Sequence, residues 1–172
     1  MELQILHMIQ GWHQDWLDSV MLFFTSLGDG GVLWISLSII FLVIPRTRKC
    51  GVSMLLALGL TFLVGNQIIK NLVARPRPCA VDTSVKLLIP YPSEYSFPSG
   101  HTSNSFAVAA TLVAYYHKPG IVALLVAGMI AFSSLYLFVH YPTDILGGII
   151  LGIFDACVVV FFVRKWESKK HV

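Results

Sequence analysis

The sequence predicts an all-α integral membrane protein, a single domain built as a bundle of six transmembrane helices with a short N-terminal interfacial helix. Three observations predict it. Of the 172 residues, 56% are hydrophobic and only 12% charged, against roughly 25% charged in a soluble domain. Mean hydropathy is +0.74. The charges also fall in clusters between long apolar runs rather than along one face, which argues against a nucleic-acid-binding surface.

The first residues, Met1 to Trp16, lack the basic region and small-residue cleavage site of a signal peptide. They read as a short amphipathic helix at the interface, anchored by Trp12 and Trp16. A spanning helix needs about 20 apolar residues. Leu17 to Gly28 is a short first candidate, closed by Asp29-Gly30-Gly31, and Gly31 to Pro45 is a second. Cys50 to Ile69 and Pro119 to Val139 contain no charged residue, and Ser103 to Tyr116 and Thr143 to Val163 complete the set. Cys50 and Cys157 lie inside apolar runs and read as buried packing residues. With Cys79 they make an odd count, with no metal-like spacing and no disulfide framework.

Six spans put both termini on one face, together with Arg46, Arg48, Lys49, Lys118, Arg164, Lys165, Lys169 and Lys170. The positive-inside rule makes that face cytoplasmic. The extracytoplasmic face then carries the turn at Asp29-Gly30, a Pro-rich segment from about Asn71 to Thr102, and the corner His140-Tyr141-Pro142. Structureless stretches of that length in a compact domain are usually functional.

Chemistry collects on that face. Lys70 ends an uncharged run and Arg77 follows between Pro76 and Pro78. A point charge and a planar fork suit a phosphate, although Lys and Arg at helix ends also snorkel. Phe97-Pro98-Ser99-Gly100-His101-Thr102 leads into an apolar run. Such a helix start offers free N–H groups and a hydroxyl to an anion, with His101 placed as a general acid. The plainer reading is a Ser N-cap beside an interfacial His. In His140-Tyr141-Pro142-Thr143-Asp144, Pro142 suits a first helical turn. Asp144 either caps that helix or fixes the tautomer of His140 and raises the nucleophilicity of its other nitrogen. Asp155, in the middle of the last apolar run, reads as a structural hydrogen-bonding group inside the bundle.

At these residues the sequence resembles the type 2 phosphatidic acid phosphatase superfamily, the PAP2 membrane phosphatases. The Lys-x6-Arg-Pro motif stands as Lys70 to Arg77-Pro78, Pro-Ser-Gly-His as Pro98 to His101, and Ser-Arg-x5-His-x3-Asp as Ser133-Ser134, His140 and Asp144. The likeness covers roughly residues 50 to 150. It implies a membrane lipid phosphatase without cofactor or metal. His140 would be the nucleophile forming a phosphohistidine, oriented by Asp144, and His101 would protonate the leaving oxygen and later activate water. Lys70, Arg77, Ser99 and the Gly100 amide would hold the phosphoryl oxygens.

The chain departs from the pattern at Ser134, where the family has Arg. A Ser brings neither the charge nor the bidentate fork. Either Lys70 and Arg77, with Arg75 in support, serve the site, or the chain is a weakened lipid-binding or transport form. The expected substrate is undecaprenyl pyrophosphate, phosphatidylglycerol phosphate or phosphatidic acid. A channel using Asp155 and Lys70 would leave the three motifs unexplained.

Overall fold

The computed structural model describes residues 1–169, so Lys170 of the basic tail lies outside the described residues. Helix α1 (Glu2–Gln10) and α2 (Asp15–Gly28) precede a tight 3-10 turn at Asp29–Gly31, where Gly30 and Gly31 both take positive φ. Helix α3 (Val32–Val43) and α4 (Arg48–Thr61) follow; α4 continues through a π-helical stretch, Phe62–Ile69, into α5 (Lys70–Val73). After the one-turn α6 (Pro78–Val81) and an irregular segment come α7 (Gly100–Tyr115), α8 (His117–Tyr136) and α9 (Pro142–Ser168). Among the described residues there is no strand. Four helical runs, 15–43, 48–81, 117–136 and 142–168, are long and apolar enough to cross a membrane.

Helix α7 is central, packed against α4, α8 and α9. Its buried Val108 and Leu112 join Trp34, Met54, Ala127 and Ile130 in one core. Small residues set the spacing of α7 and α9. A Cβ added at Gly152 would stand 2.4 Å from the Ser103 carbonyl oxygen, and one at Gly148 would stand 2.9 Å from that of Ser99. Backbones this close need glycine, and the contact brings the start of α9 against the start of α7. The outward faces are apolar too: Val32, Val43, Leu125, Ile150 and Phe161 are all exposed, as a lipid-facing surface requires.

The bundle has two unlike ends. At one, Lys49 pairs with Glu167, Tyr116 reaches the Arg46 carbonyl and Arg164 donates to that of Ala114, gathering the basic clusters. At the other lie residues 74–99 and the 137–141 corner.

Two expectations are corrected here. The run Leu17–Gly28 does not cross from one end to the other, and α1 does not share the basic face. Asp18 accepts from the Tyr136 hydroxyl and a Cβ at Gly28 would strike His101, so both ends of α2 sit at the His140 end. There α1 is tied down by Glu2 to Arg75, His7 to Asp82 and Gln10 to the Tyr136 carbonyl. Among the described residues five passes therefore join the two ends, α3, α4–α5, α7, α8 and α9, and the described termini lie at opposite ends. The apolar pattern of α2 reports burial against α8, which an oblique capping helix shares with a spanning one.

Cys157 is also unlike its expectation: Cys50 is buried, but Cys157 is exposed. In a bilayer-spanning helix the outward face is as apolar as the inward one, so an apolar run does not specify burial. Asp155 matches its reading, buried and accepting from Thr61 at 2.8 Å.

Candidate active site

Two helix starts face each other. Ser99 caps α7, its Oγ accepting from the Thr102 N–H (3.4 Å) and hydroxyl (3.0 Å). Tyr141 precedes α9, and its backbone N–H donates to Asp144 Oδ2 at 2.8 Å, so the carboxylate reaches back over the start of its own helix. Between α8 and α9 the chain folds back sharply through Phe138, buried at φ 60°. A left-handed non-glycine residue costs about 1–2 kcal/mol, and the buried Phe138 ring offsets it. The Val139 N–H closes the turn on the Ser134 carbonyl at 3.2 Å.

His140 stands at that corner, 2% exposed. Its Nδ1 faces Asp144 Oδ2 at 3.5 Å and Ser96 Oγ at 3.4 Å, and Ser96 donates to the same Asp144 oxygen at 2.5 Å. Its Nε2 is 3.1 Å from Arg77 Nη1, which also donates to the Val139 carbonyl at 3.0 Å. A guanidinium only donates, so the network assigns the lone pair to Nε2 and the proton to Nδ1. Burial, with Asp144 opposing and Arg77 adding to it, pushes the His140 pKa down to about 4. The imidazole is neutral at pH 7, its free nitrogen aimed at a cation.

The other side of the cavity is built by the π-helical stretch and the start of α7. A π turn within a helix re-aims side chains and is frequent at functional sites; here Asn66 and Lys70 both face the cavity. Lys70 Nζ donates to Glu94 Oε2 at 2.7 Å, and Arg77 Nε to the Glu94 carbonyl at 2.7 Å. The bond from Lys70 holds the Glu94 carboxyl below the usual range. His101 Nε2 lies 3.0 Å from Asp29 Oδ1. Its ring fills the place of the missing Gly28 side chain, where a Cβ would stand 2.2 Å from His101 Cδ2.

Two adjoining chambers of about 260 and 270 Å³ share Arg77, His101 and His140. One is also lined by Lys70, Glu94, Gly100, Asn66 and Asn104, the other by Thr25, Asp29, Pro90 and Ser134.

Six of the expected site residues thus line one cavity: Lys70, Arg77, Gly100, His101, Ser134 and His140. Asp144 stands directly behind His140. Ser99 is fully buried behind Gly100 and lines neither chamber. Ser134 is in the wall, but its hydroxyl turns back to the Ile130 carbonyl at 3.3 Å, so this position brings no charge. Arg75 lies outside the cavity and donates to Asp144 Oδ1 at 2.7 Å. Sequence reasoning missed Glu94, Asp29, Ser96 and Glu2. An acid in each outer loop was the available signal for Glu94 and Asp29; nothing marked Ser96 or Glu2, whose roles come from contacts 48 and 73 residues distant in sequence.

The model of the PAP2 superfamily matches residues 50–168, which takes in every one of these motifs. The chain belongs to the PAP2 superfamily. Members similar to it are named phosphatases and diphosphatases, hydrolases of phosphoric esters and anhydrides. An undecaprenyl-diphosphatase of Sulfolobus acidocaldarius is 31% identical over 137 residues, covering 79% of this chain and 66% of the relative. Phosphatidylglycerophosphatase B of Bacillus subtilis is 32% identical over 170 residues, 91% of this chain and 78% of the relative. The chain thus spans about two thirds to four fifths of these relatives' lengths. Among solved structures, the LpxE of Aquifex aeolicus superposes with a TM-score of 0.80 at 30% identity, over 92% of this chain and 94% of that one.

Proposed function

We propose that this PAP2 protein hydrolyses a phosphate monoester or pyrophosphate on a membrane lipid through a phosphohistidine at His140. The observation that carries the reading is the two-sided setting of the buried His140 ring, with Arg77 at Nε2 and Asp144 at Nδ1. The incoming phosphoryl group takes over the Arg77 and Lys70 N–H bonds, and Nε2 attacks phosphorus as the bond to the lipid oxygen breaks. His101 gives that oxygen a proton. Water, deprotonated by His101, then attacks the phosphohistidine and releases phosphate. Positioning and charge stabilisation carry most of such a transfer, and the cations of Lys70 and Arg77 supply the charge, so EDTA leaves the rate unchanged.

Undecaprenyl pyrophosphate is the favoured substrate, with phosphatidylglycerol phosphate and phosphatidic acid next. The named activities of the relatives support that class. The basic end faces the cytoplasm by the positive-inside rule, which sets the cavity and α1 at the extracytoplasmic surface and the C-terminal tail inside.

A second reading is a weakened member that binds lipid phosphate with little turnover. It is favoured by Ser134, which leaves Lys70 and Arg77 as the cations lining the cavity. The deciding experiment is phosphate release from the three lipids in detergent, for the chain itself, Ser134→Arg and His140→Ala. The reading expects turnover by the chain and none by His140→Ala. Silence in the chain with turnover in Ser134→Arg supports the second reading, and substantial turnover in His140→Ala overturns the nucleophile assignment.

A further inference from the structure

We propose that Glu2 and Arg75 are positioning residues for the reaction, a strap from the first helix that holds the Asp144 carboxylate in place behind His140. The proposal rests on the His140–Asp144 reading above. Asp144 is fully buried, and its oxygens are divided. Oδ2 takes the Ser96 hydroxyl and the Tyr141 N–H and faces His140 Nδ1. Oδ1 has one donor, Arg75 Nη1 at 2.7 Å. A buried carboxylate oxygen left without a donor carries its full desolvation penalty, so without Arg75 the carboxylate would swing away from the orientation that serves His140.

Arg75 is itself held on three sides. Its guanidinium lies 3.9 Å from the centre of the Tyr141 ring, Nη1 reaches Thr143 Oγ1 at 2.7 Å, and Nη2 reaches Glu2 Oε2 at 2.6 Å. The other Glu2 oxygen accepts from the Thr143 N–H at 3.1 Å and hydroxyl at 2.7 Å. Glu2 therefore grips both the arginine and the first turn of α9, one residue from Asp144. Helix α1 is seated there by buried Leu6 and Ile9 and by the His7–Asp82 pair. Arg75 lines neither chamber, so it acts through Asp144 and does not replace the arginine missing at Ser134. The first helix, by sequence an interfacial anchor, thereby becomes part of the support of the nucleophile.

The test uses the full chain in detergent with Arg75→Ala, Arg75→Lys, Glu2→Gln and the double variant Arg75→Ala/Glu2→Gln, reading kcat, KM, thermal midpoint and the pH–rate profile. Loss of a supporting side chain behind a reactive group costs about tenfold or more. Arg75→Ala should lose that in kcat with KM unchanged, Arg75→Lys should recover part of it, and Glu2→Gln should lose less. The double variant should lose less than the sum of the two single losses, because Glu2 acts in part through Arg75. The groups facing the pair are Arg77 and His101 on the cavity side, with Arg75 and Glu2 behind Asp144. Removing the Arg75 cation lets the pair take up a proton more readily, so the acid limb should move to higher pH.

An Arg75→Ala variant with a lower thermal midpoint but intact kcat and acid limb would overturn the proposal, as would additive losses in the double variant. If the unaltered chain releases phosphate from no lipid, the functional reading fails by itself. In that case nitrogen-15 spectra of histidine-labelled protein still decide the strap: the His140 titration should shift upward in Arg75→Ala, and an identical titration in both proteins would refute it.

Discussion

The two ends of the bundle use charge in opposite ways. At the basic end Lys49 is 63% exposed in its pair with Glu167, and such a cluster acts through its summed charge rather than through fixed geometry. At the other end Lys70, Arg77 and Asp144 are nearly excluded from solvent, and each has partners that fix its geometry. The same contrast recurs within α9. Asp144 has donors from Ser96, Tyr141 and Arg75 and faces His140, while among the described residues Asp155, three turns further on, has Thr61 alone. Burial of an acid in a membrane helix therefore marks importance of some kind, and the number and direction of its donors distinguish Asp144 from Asp155.

The sharpest way to break that contrast is to make the two aspartates neutral. Asp144→Asn should lower kcat by about 10³-fold or more, since an amide beside Nδ1 favours the wrong tautomer. Asp155→Asn, which keeps a partner for Thr61, should leave kcat near that of the parent and change only the thermal midpoint. Equal losses in the two would erase the distinction.

Acid should act next. With the His140 pKa near 4, Nε2 keeps its lone pair from pH 8 down to about pH 5. The rate falls only as the pH drops through about 4, tenfold per unit below it. An acid limb near 6.5 would place the ring in a wetter setting than the structure gives it.

Glu94 offers a smaller effect. Its carboxylate occupies Lys70 from an exposed position, 67% accessible, so it competes with an incoming phosphate for the same ammonium. With one partner this exposed, solvent screens the pair to about 1 kcal/mol, so Glu94→Gln should lower KM by up to about fivefold, with kcat little changed. A raised KM would make Glu94 a substrate contact.

The smallest effect belongs to the basic end. Lys49→Ala should change stability by less than about 0.5 kcal/mol and leave hydrolysis as it was. A large loss there would mean that the two ends are coupled.

Much of this protein was legible in the sequence. Membrane insertion, an all-helical fold and the gathering of Lys70, Arg77, Gly100, His101, His140 and Asp144 on one side follow from composition, apolar run length and spaced motifs. These are local or additive properties, which a linear pattern records directly. The pass count failed at α2, because a helix capping the bundle obliquely has the same apolar face as one that crosses it. Cys157 failed because lipid and protein interior select the same residue types. The Ser134 position was legible as a lost charge, but not the fold-back that sets it in the same wall as His140, which depends on the Val139 to Ser134 hydrogen bond.

Only the tertiary structure decided which charges meet. Glu94 on Lys70, Asp29 on His101, Ser96 on Asp144 and Glu2 on Arg75 are contacts across 24 to 73 residues. No periodicity encodes them, because each depends on where two separate helix ends come to rest. The sequence by itself determined the solvent the chain lives in and the motif residues it carries. Packing of α7 against α9 through Gly148 and Gly152, and the docking of α1 over the start of α9, determined their geometry, because close approach of backbones is a property of two elements together.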